Sequence, residues 1–216
     1  MNHHTQMAKL FLEGNEDEAL QYLQTAQTPF NRLMAYEQFL TPTMYHIGDL
    51  WENNQISVAD EHLATAVCDF VLSQVDYRST KQGLDQAKKV LLFGVEEEQH
   101  YLGLKMVASV FREHGWKVRY LGPNLPLEHV HKQITTFKPD VIGISAALSY
   151  RLPKLQEVVE SFQKLEWNPQ ILIGGRMAKK HDLSKFVSDK VFIMKDLEQL
   201  QGWLEEDQNK VNATSS

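Results

Sequence analysis

The feature that most restricts the fold is a regular alternation that begins at Lys89. Short apolar runs, Val90-Leu91-Leu92-Phe93-Gly94-Val95, Val141-Ile142-Gly143-Ile144 and Ile171-Leu172-Ile173, are separated by longer segments with apolar residues at helical spacing. A strand apolar along its whole length is buried on both faces, which is the condition of a parallel sheet covered by helices. Strands are expected near 89–95, 117–121, 140–145, 170–174 and 190–194. Helices are expected near 102–115, 126–137, 152–165 and 195–205. This alternation calls for an α/β domain with a flavodoxin-like (Rossmann-like) five-stranded parallel sheet. In that strand order the chain reverses direction beside the first strand, so a ligand is expected at the loop that follows Val95.

Before Lys89 the pattern is helical only. Leu10, Phe11 and Leu12 belong to a helix that should stop at Gly14-Asn15, and Ala19, Leu20 and Leu23 define a second over 17–24. Thr28-Pro29 and Thr41-Pro42 both read as helix starts, with threonine as cap and proline at the first helical position. The first should bury Leu33, Met34, Tyr36, Phe39 and Leu40, and the second should run through Met44, Ile47 and Leu50. Ser57-Val58-Ala59-Asp60 reads as a capping box with aspartate in place of glutamate, opening the longest helix. The expected organisation is an all-α helical bundle at 1–78, a linker at 79–88, the sheet domain at 89–205 and a frayed tail at 206–216.

With 216 residues and a single cysteine, Cys68, disulfides cannot organise the fold. Cys68 sits in an apolar helical stretch and reads as a small core residue. No apolar run approaches the length of a membrane span, and the first residues have no basic segment leading into an apolar core. A cytoplasmic protein with no membrane contact is the expectation. The formal charge of −6 argues against a broad basic surface for nucleic acid.

At the expected ligand edge stands Glu98-Gln99-His100-Tyr101-Leu102-Gly103. Imidazole binds transition metals while neutral near pH 7. Glu98 is placed to accept the other ring N–H and so orient the metal-binding nitrogen. Gly103 leaves room for a bulky ligand. Alone, the hexapeptide reads as an ordinary polar loop. Two further stretches stand at strand ends: Ser145-Ala146-Ala147-Leu148-Ser149 and Gly174-Gly175. Together the three stretches resemble the D/E-x-H-x-x-G, S-x-L, G-G signature of cobalamin-binding domains. The resemblance implies that His100 is the lower cobalt ligand, in place of the cofactor's own dimethylbenzimidazole. It also implies contacts from Glu98, Gln99 and Gly103, and a slot for the displaced nucleotide tail lined by Ser145, Ser149, Gly174 and Gly175. Ala147 departs from the usual leucine. Arg176, next to the glycine pair, reads as an exposed side chain.

In the helical half, Trp51 and the pair Glu61-His62 match W-x9-E-H. A tryptophan at a helix end is more often a core residue, and an E-H pair near a helix start is more often a solvated face. With Glu98 ahead of the histidine, however, the pattern resembles the adenosylcobalamin-dependent photoreceptors of the CarH type. That resemblance implies that the bundle caps the upper cobalamin face, with Trp51 over the adenosyl group and Glu61 and His62 beside it. Two departures stand out. Nothing before residue 5 could hold the family's DNA-binding domain, so direct binding to nucleic acid is not expected. Glu52 also replaces the histidine that ligates cobalt in the light, which leaves His62, His46, water or an open position for that state.

The expected function is therefore a stand-alone, adenosylcobalamin-binding light sensor that acts through homo-oligomer assembly or an unidentified partner protein. The alternative is a corrinoid methyl-carrier of a methyltransferase system, a family that typically has aspartate at the position of Glu98. A sensor of cobalamin level, or an antirepressor without photochemistry, is a third reading. A radical mutase would need a substrate barrel, and neither Gly-x-Gly-x-x-Gly after the first strand nor Gly-x-Ser-x-Gly is present to suggest dehydrogenase or hydrolase chemistry.

Overall fold

The computed structural model describes residues 2–27, 30–76, 87–146 and 152–214. It divides into two compact units after Asp76. The first is all helical: α1 (His3–Leu12), α2 (Glu16–Ala26), α3 (Arg32–Met34), a π-helical segment (Ala35–Leu40), α4 (Thr41–Glu52) and α5 (Val58–Val75). Helix α1 ends where expected, because Gly14 takes φ +73° and Asn15 N–H reaches back to Leu10 C=O. The core gathers Met7, Phe11, Leu23, Tyr36, Phe39, Leu40, Ile47, Val67, Cys68, Val71 and Leu72.

Two expected helix starts differ from the structure. Thr28 and Pro29 lie outside the described residues, and the cap of α3 is Asn31, whose Oδ1 accepts the Met34 amide at 2.9 Å. At Thr41-Pro42 there is no break at all. Leu40 and Thr41 are both helical, and Thr41 N–H bonds to Tyr36 C=O, five residues back. Proline cannot donate to the residue four before it and crowds that carbonyl. The wide π turn ahead of Pro42 absorbs the misfit, so the helix runs on. Met34 is exposed, contrary to the buried face read from sequence. The capping box forms as read: Asp60 N–H donates to Ser57 Oγ, while Ser57 N–H donates to Asp60 Oδ2 at 2.8 Å.

The second unit contains β1 (Lys89–Val95), α6 (Leu102–Glu113), β2 (Lys117–Leu125), α7 (Leu127–Phe137), β3 (Val141–Ser145), α8 (Leu152–Phe162), β4 (Gln170–Gly174), α9 (Arg176–Lys180), β5 (Val191–Ile193) and α10 (Leu197–Thr214). All strand pairs are parallel, in the order β2-β1-β3-β4-β5, so the flavodoxin-like arrangement read from the alternation is correct. One face of the sheet, with Leu91, Phe93, Ile142, Ile144, Ile171 and Ile173, packs against Val130 and Ile134 of α7 and Leu155, Val159 and Phe162 of α8. Strand residues one position along point to the opposite face.

Three elements depart from the sequence reading. Strand β2 runs four residues further than expected, with register shifts around Phe93. As the edge strand it tolerates Pro123, and Gly122 at φ +85° supplies the irregular turn. The short helix α9 carries too few apolar residues to announce itself. Helix α10 continues to Thr214 where a frayed tail was expected. Its extension is tied down by Lys88 Nζ on Asp207 at 2.7 Å and by Gln208 Nε2 donating to His114 C=O at 3.1 Å. Among the described residues, no helix is long and apolar enough to cross a membrane.

Candidate functional site

The loop between β1 and α6 is built to hold one imidazole. Glu98 N–H bonds to Val95 C=O at 2.9 Å, which folds the chain back as the strand ends. Glu97 is held at φ +64°, with its amide donating to Asn124 Oδ1 at 2.7 Å. This bond fastens the loop to the end of β2 and offsets the left-handed strain. The Glu98 side chain is fully buried. It turns over Gly94, where a Cβ would stand 3.6 Å from Glu98 Cγ and 3.1 Å from Pro123 Cα. Neither Gly94 nor Asn124 was singled out from sequence, because their work is in backbone packing rather than in side-chain chemistry.

Glu98 Oε1 accepts both the His100 backbone amide at 2.9 Å and His100 Nδ1–H at 2.6 Å. The histidine side chain remains 51 % exposed while the carboxylate is 0 % exposed. On the other side of the ring, Arg176 Nη2 donates to His100 Nε2 at 2.5 Å. Guanidinium has only donors, and an ionised carboxylate has only acceptors. The two partners therefore fix a neutral ring with its proton on Nδ1 and its lone pair on Nε2. This is the form of imidazole that binds a transition metal, with the carboxylate orienting it from behind. Arg176, read from sequence as merely exposed, is half-buried and a direct neighbour of the His100 ring, a contact that the sequence alone does not signal.

The other sequence candidates fall into distinct situations. Gln99 and Gly103 are exposed beside His100, and a Cβ on Gly103 would meet nothing within 4 Å. Gly94, Ser145 and Gly174 lie in register on three adjacent strands, a row of small residues at the C-terminal edge. A Cβ on Gly174 would make only an ordinary contact, 3.6 Å from Met194 C=O. Gly175 differs. It takes φ +97°, and a Cβ there would stand 2.4 Å from Ala146 C=O, so the fold itself demands glycine. Ser149 lies outside the described residues.

In the helical unit, Trp51 occupies the last turn of α4, and Glu61 and His62 occupy the first turns of α5, on either side of the connection 53–57. Trp51 is 47 % exposed, so it is not the core residue that a helix-end tryptophan usually is. Glu61 Oε1 accepts the Thr65 hydroxyl at 3.0 Å, and the His62 side chain is 76 % exposed. His46 is half-buried against the His4 ring. At about 100° per residue, it points roughly 140° away from Trp51 on the same helix. Among the described residues, no group of three or more histidine, cysteine, aspartate or glutamate side chains could hold a free metal ion. A lone oriented imidazole at a sheet edge suits a metal whose other ligands come with the cofactor.

A parallel sheet of flavodoxin order with an oriented histidine at its ligand edge, preceded by a helical bundle, defines a two-module corrinoid-type architecture. Residues 88–191 match the B12 binding domain family, and residues 4–75 match a second family model, also described as a B12 binding domain. The chain thus carries the helical and sheet domains of the cobalamin-binding family. It is 26 % identical over 150 residues to the HTH-type transcriptional repressor CarH of Myxococcus xanthus, an alignment covering 69 % of this chain and 49 % of that protein. The chain therefore spans about half the length of that repressor. It is 22 % identical over 176 residues to a corrinoid protein of Desulfitobacterium hafniense, covering 79 % and 82 % of the two chains. The solved monomethylamine corrinoid protein of Methanosarcina barkeri shares the fold, with a TM-score of 0.72 at 15 % identity, over 93 % of this chain and 96 % of that one.

Proposed function

We propose that this cobalamin-binding protein takes adenosylcobalamin with His100 as the lower cobalt ligand and acts as a light sensor or regulator. The observation that carries the cobalt assignment is the ring held between Glu98 on Nδ1 and Arg176 on Nε2, partners whose chemistry calls for a proton on Nδ1 and a lone pair on Nε2. Neutral imidazole in that tautomer needs no proton loss to bind the metal. The open space beside Gly103 and the small side chains at Ser145 and Gly174 suit entry of the cofactor's nucleotide tail along the sheet edge. Bound adenosylcobalamin would supply a cobalt–carbon bond that visible light breaks.

The sensor reading draws on the helical unit. Trp51 offers a large exposed apolar surface near Glu61 and His62 in sequence position, the residue types that the CarH-type pattern assigns to the upper cofactor face. Signalling would then pass through a change in self-assembly or in binding to a partner protein. The competing reading, a corrinoid methyl-carrier, draws support from coverage: alignments with corrinoid proteins take in more than four fifths of those chains. Glu98 and Trp51 favour the sensor.

The test is a visible absorption spectrum of the protein loaded with adenosylcobalamin in the dark, repeated after green light, with size-exclusion chromatography of both samples. The sensor reading expects a spectral change with a shift in apparent size or in partner binding. Failure to take up adenosylcobalamin, with methylcobalamin bound instead, would transfer the assignment to the methyl-carrier. His100→Ala should lose the histidine-ligated spectrum, and an unchanged spectrum would refute the cobalt assignment.

A further inference from the structure

The Nε2 atom assigned above to cobalt already has a cation on it. Resting on that assignment, we infer that Arg176 is a surrogate for cobalt: its guanidinium holds His100 before the cofactor arrives and must leave before the histidine-ligated form can exist. Neutral imidazole with its proton on Nδ1 has a single lone pair, at Nε2. Arg176 Nη2 donates to that lone pair, so guanidinium and cobalt exclude each other.

Either occupant of Nε2 is a cation. The fully buried Glu98 carboxylate lies behind the ring, on Nδ1, and arginine stays protonated at any working pH. With either guanidinium or cobalt in front, the imidazole is polarised between an anion and a cation. The ring is thus held in one tautomer and one orientation throughout. Without Arg176 it would keep the Glu98 bond but would present Nε2 to water.

The position of Arg176 links this exchange to the proposed tail slot. It follows Gly174-Gly175 directly and opens α9. The backbone there is pinned: Ala146 N–H donates to Gly174 C=O at 3.1 Å, and Met177 N–H donates to Ala146 C=O at 3.3 Å. Only the arginine side chain is left to move. A nucleotide tail passing Gly174 arrives two residues from the backbone that carries the guanidinium. A corrinoid with its tail is therefore better equipped to dislodge Arg176 than one without.

Two measurements test this. In the cofactor-free protein, side-chain 15N NMR should report His100 protonated at Nδ1 and unprotonated at Nε2, with an Nε2 shift that moves in Arg176→Gln. In stopped flow with aquocobalamin and with cobinamide, which has no nucleotide tail, Arg176→Ala and Arg176→Gln should bring up the histidine-ligated spectrum faster or at lower ligand concentration. The expected gain is roughly tenfold to a hundredfold, the range for loss of one charge-assisted hydrogen bond. Cobinamide should gain more than aquocobalamin. Arg176→Gln keeps a polar side chain without the charge and reach of the guanidinium, and serves if the alanine variant does not fold. Unchanged or slower association in both variants, or an Nε2 signal indifferent to Arg176→Gln, would overturn the surrogate role. If His100→Ala retains the histidine-ligated spectrum, the cobalt assignment fails instead. If His100→Ala loses that spectrum while the Arg176 variants behave as wild type, only the surrogate role fails.

Discussion

Gly174 and Gly175 stand side by side in the cobalamin signature, yet the backbone demands glycine only at Gly175, and alanine at each should separate them. Gly175 sits at φ +97°, ψ 179°, a region reached almost only by glycine. Alanine there carries about 1–3 kcal/mol of backbone strain. Its Cβ would also stand 2.4 Å from Ala146 C=O and 2.9 Å from Ala146 C, both backbone atoms in a bonded strand end. Relieving that overlap should cost a further 1–3 kcal/mol or so. The sum, about 2–6 kcal/mol, should lower the melting temperature of the sheet unit by on the order of 10–20 °C. Gly174→Ala makes only the 3.6 Å contact with Met194 C=O and should change stability by less than about 0.5 kcal/mol. If the slot runs past Gly174, that same methyl group should weaken cobalamin binding. Thermal melts followed by far-UV circular dichroism, together with cobalamin titrations, read both effects. A Gly175→Ala variant as stable as wild type would refute the steric reasoning. Unweakened binding in a stable Gly174→Ala variant would remove the slot from this edge.

Glu98→Gln should keep the fold but lose the anionic acceptor behind His100, with cobalamin affinity falling roughly tenfold to a hundredfold by titration; unchanged affinity would mean that the carboxylate does not support the ligand. Trp51→Ala, at an exposed site, should leave the melting temperature within a few degrees of wild type while narrowing the preference for adenosylcobalamin over methylcobalamin, and equal selectivity in both proteins would count against an upper-face role. Ser57→Ala removes the cap of α5 and should lower the melting temperature of the helical unit by roughly 4–8 °C. The Ser57 hydroxyl and amide hold the Asp60 carboxyl below its usual value. A lowered carboxyl stabilises the fold above its unfolded value, and that contribution disappears as pH falls through the lowered one. Acid melts of Ser57→Ala should therefore be flatter in this range than those of wild type; an identical acid profile would show that the box is not what Asp60 contributes.

The strand order, the capping box and the Glu98–His100 pair were legible because each is written in a short-range pattern. Apolar runs report burial on both faces, Ser-x-x-Asp reports a local reciprocal bond, and a carboxylate two residues before a histidine needs only one tight loop to reach it. The helix through Pro42 was not legible. A proline after threonine carries the same local signal whether it starts a helix or sits behind a π turn, and the choice is made by the packing of Tyr36, Phe39 and Leu40. The extension of α10 depended on Lys88 meeting Asp207 across 119 positions of sequence. No window of sequence contains that pair.

Arg176 shows why the site itself was only half readable. His100 and Arg176 are 76 residues apart and meet because β1 and β4 flank β3 in the sheet, so their following loops share one edge. The glycine pair before Arg176 reads as room for a ligand. Yet one of those glycines is consumed by the approach of the backbone at Ala146, and that approach fixes where the arginine begins. A motif that lists residues needed by a ligand therefore also contains residues needed to aim a neighbour. Gly175 belongs to the second kind, and through it the fold delivers a cation to Nε2 of His100, the atom proposed to ligate cobalt.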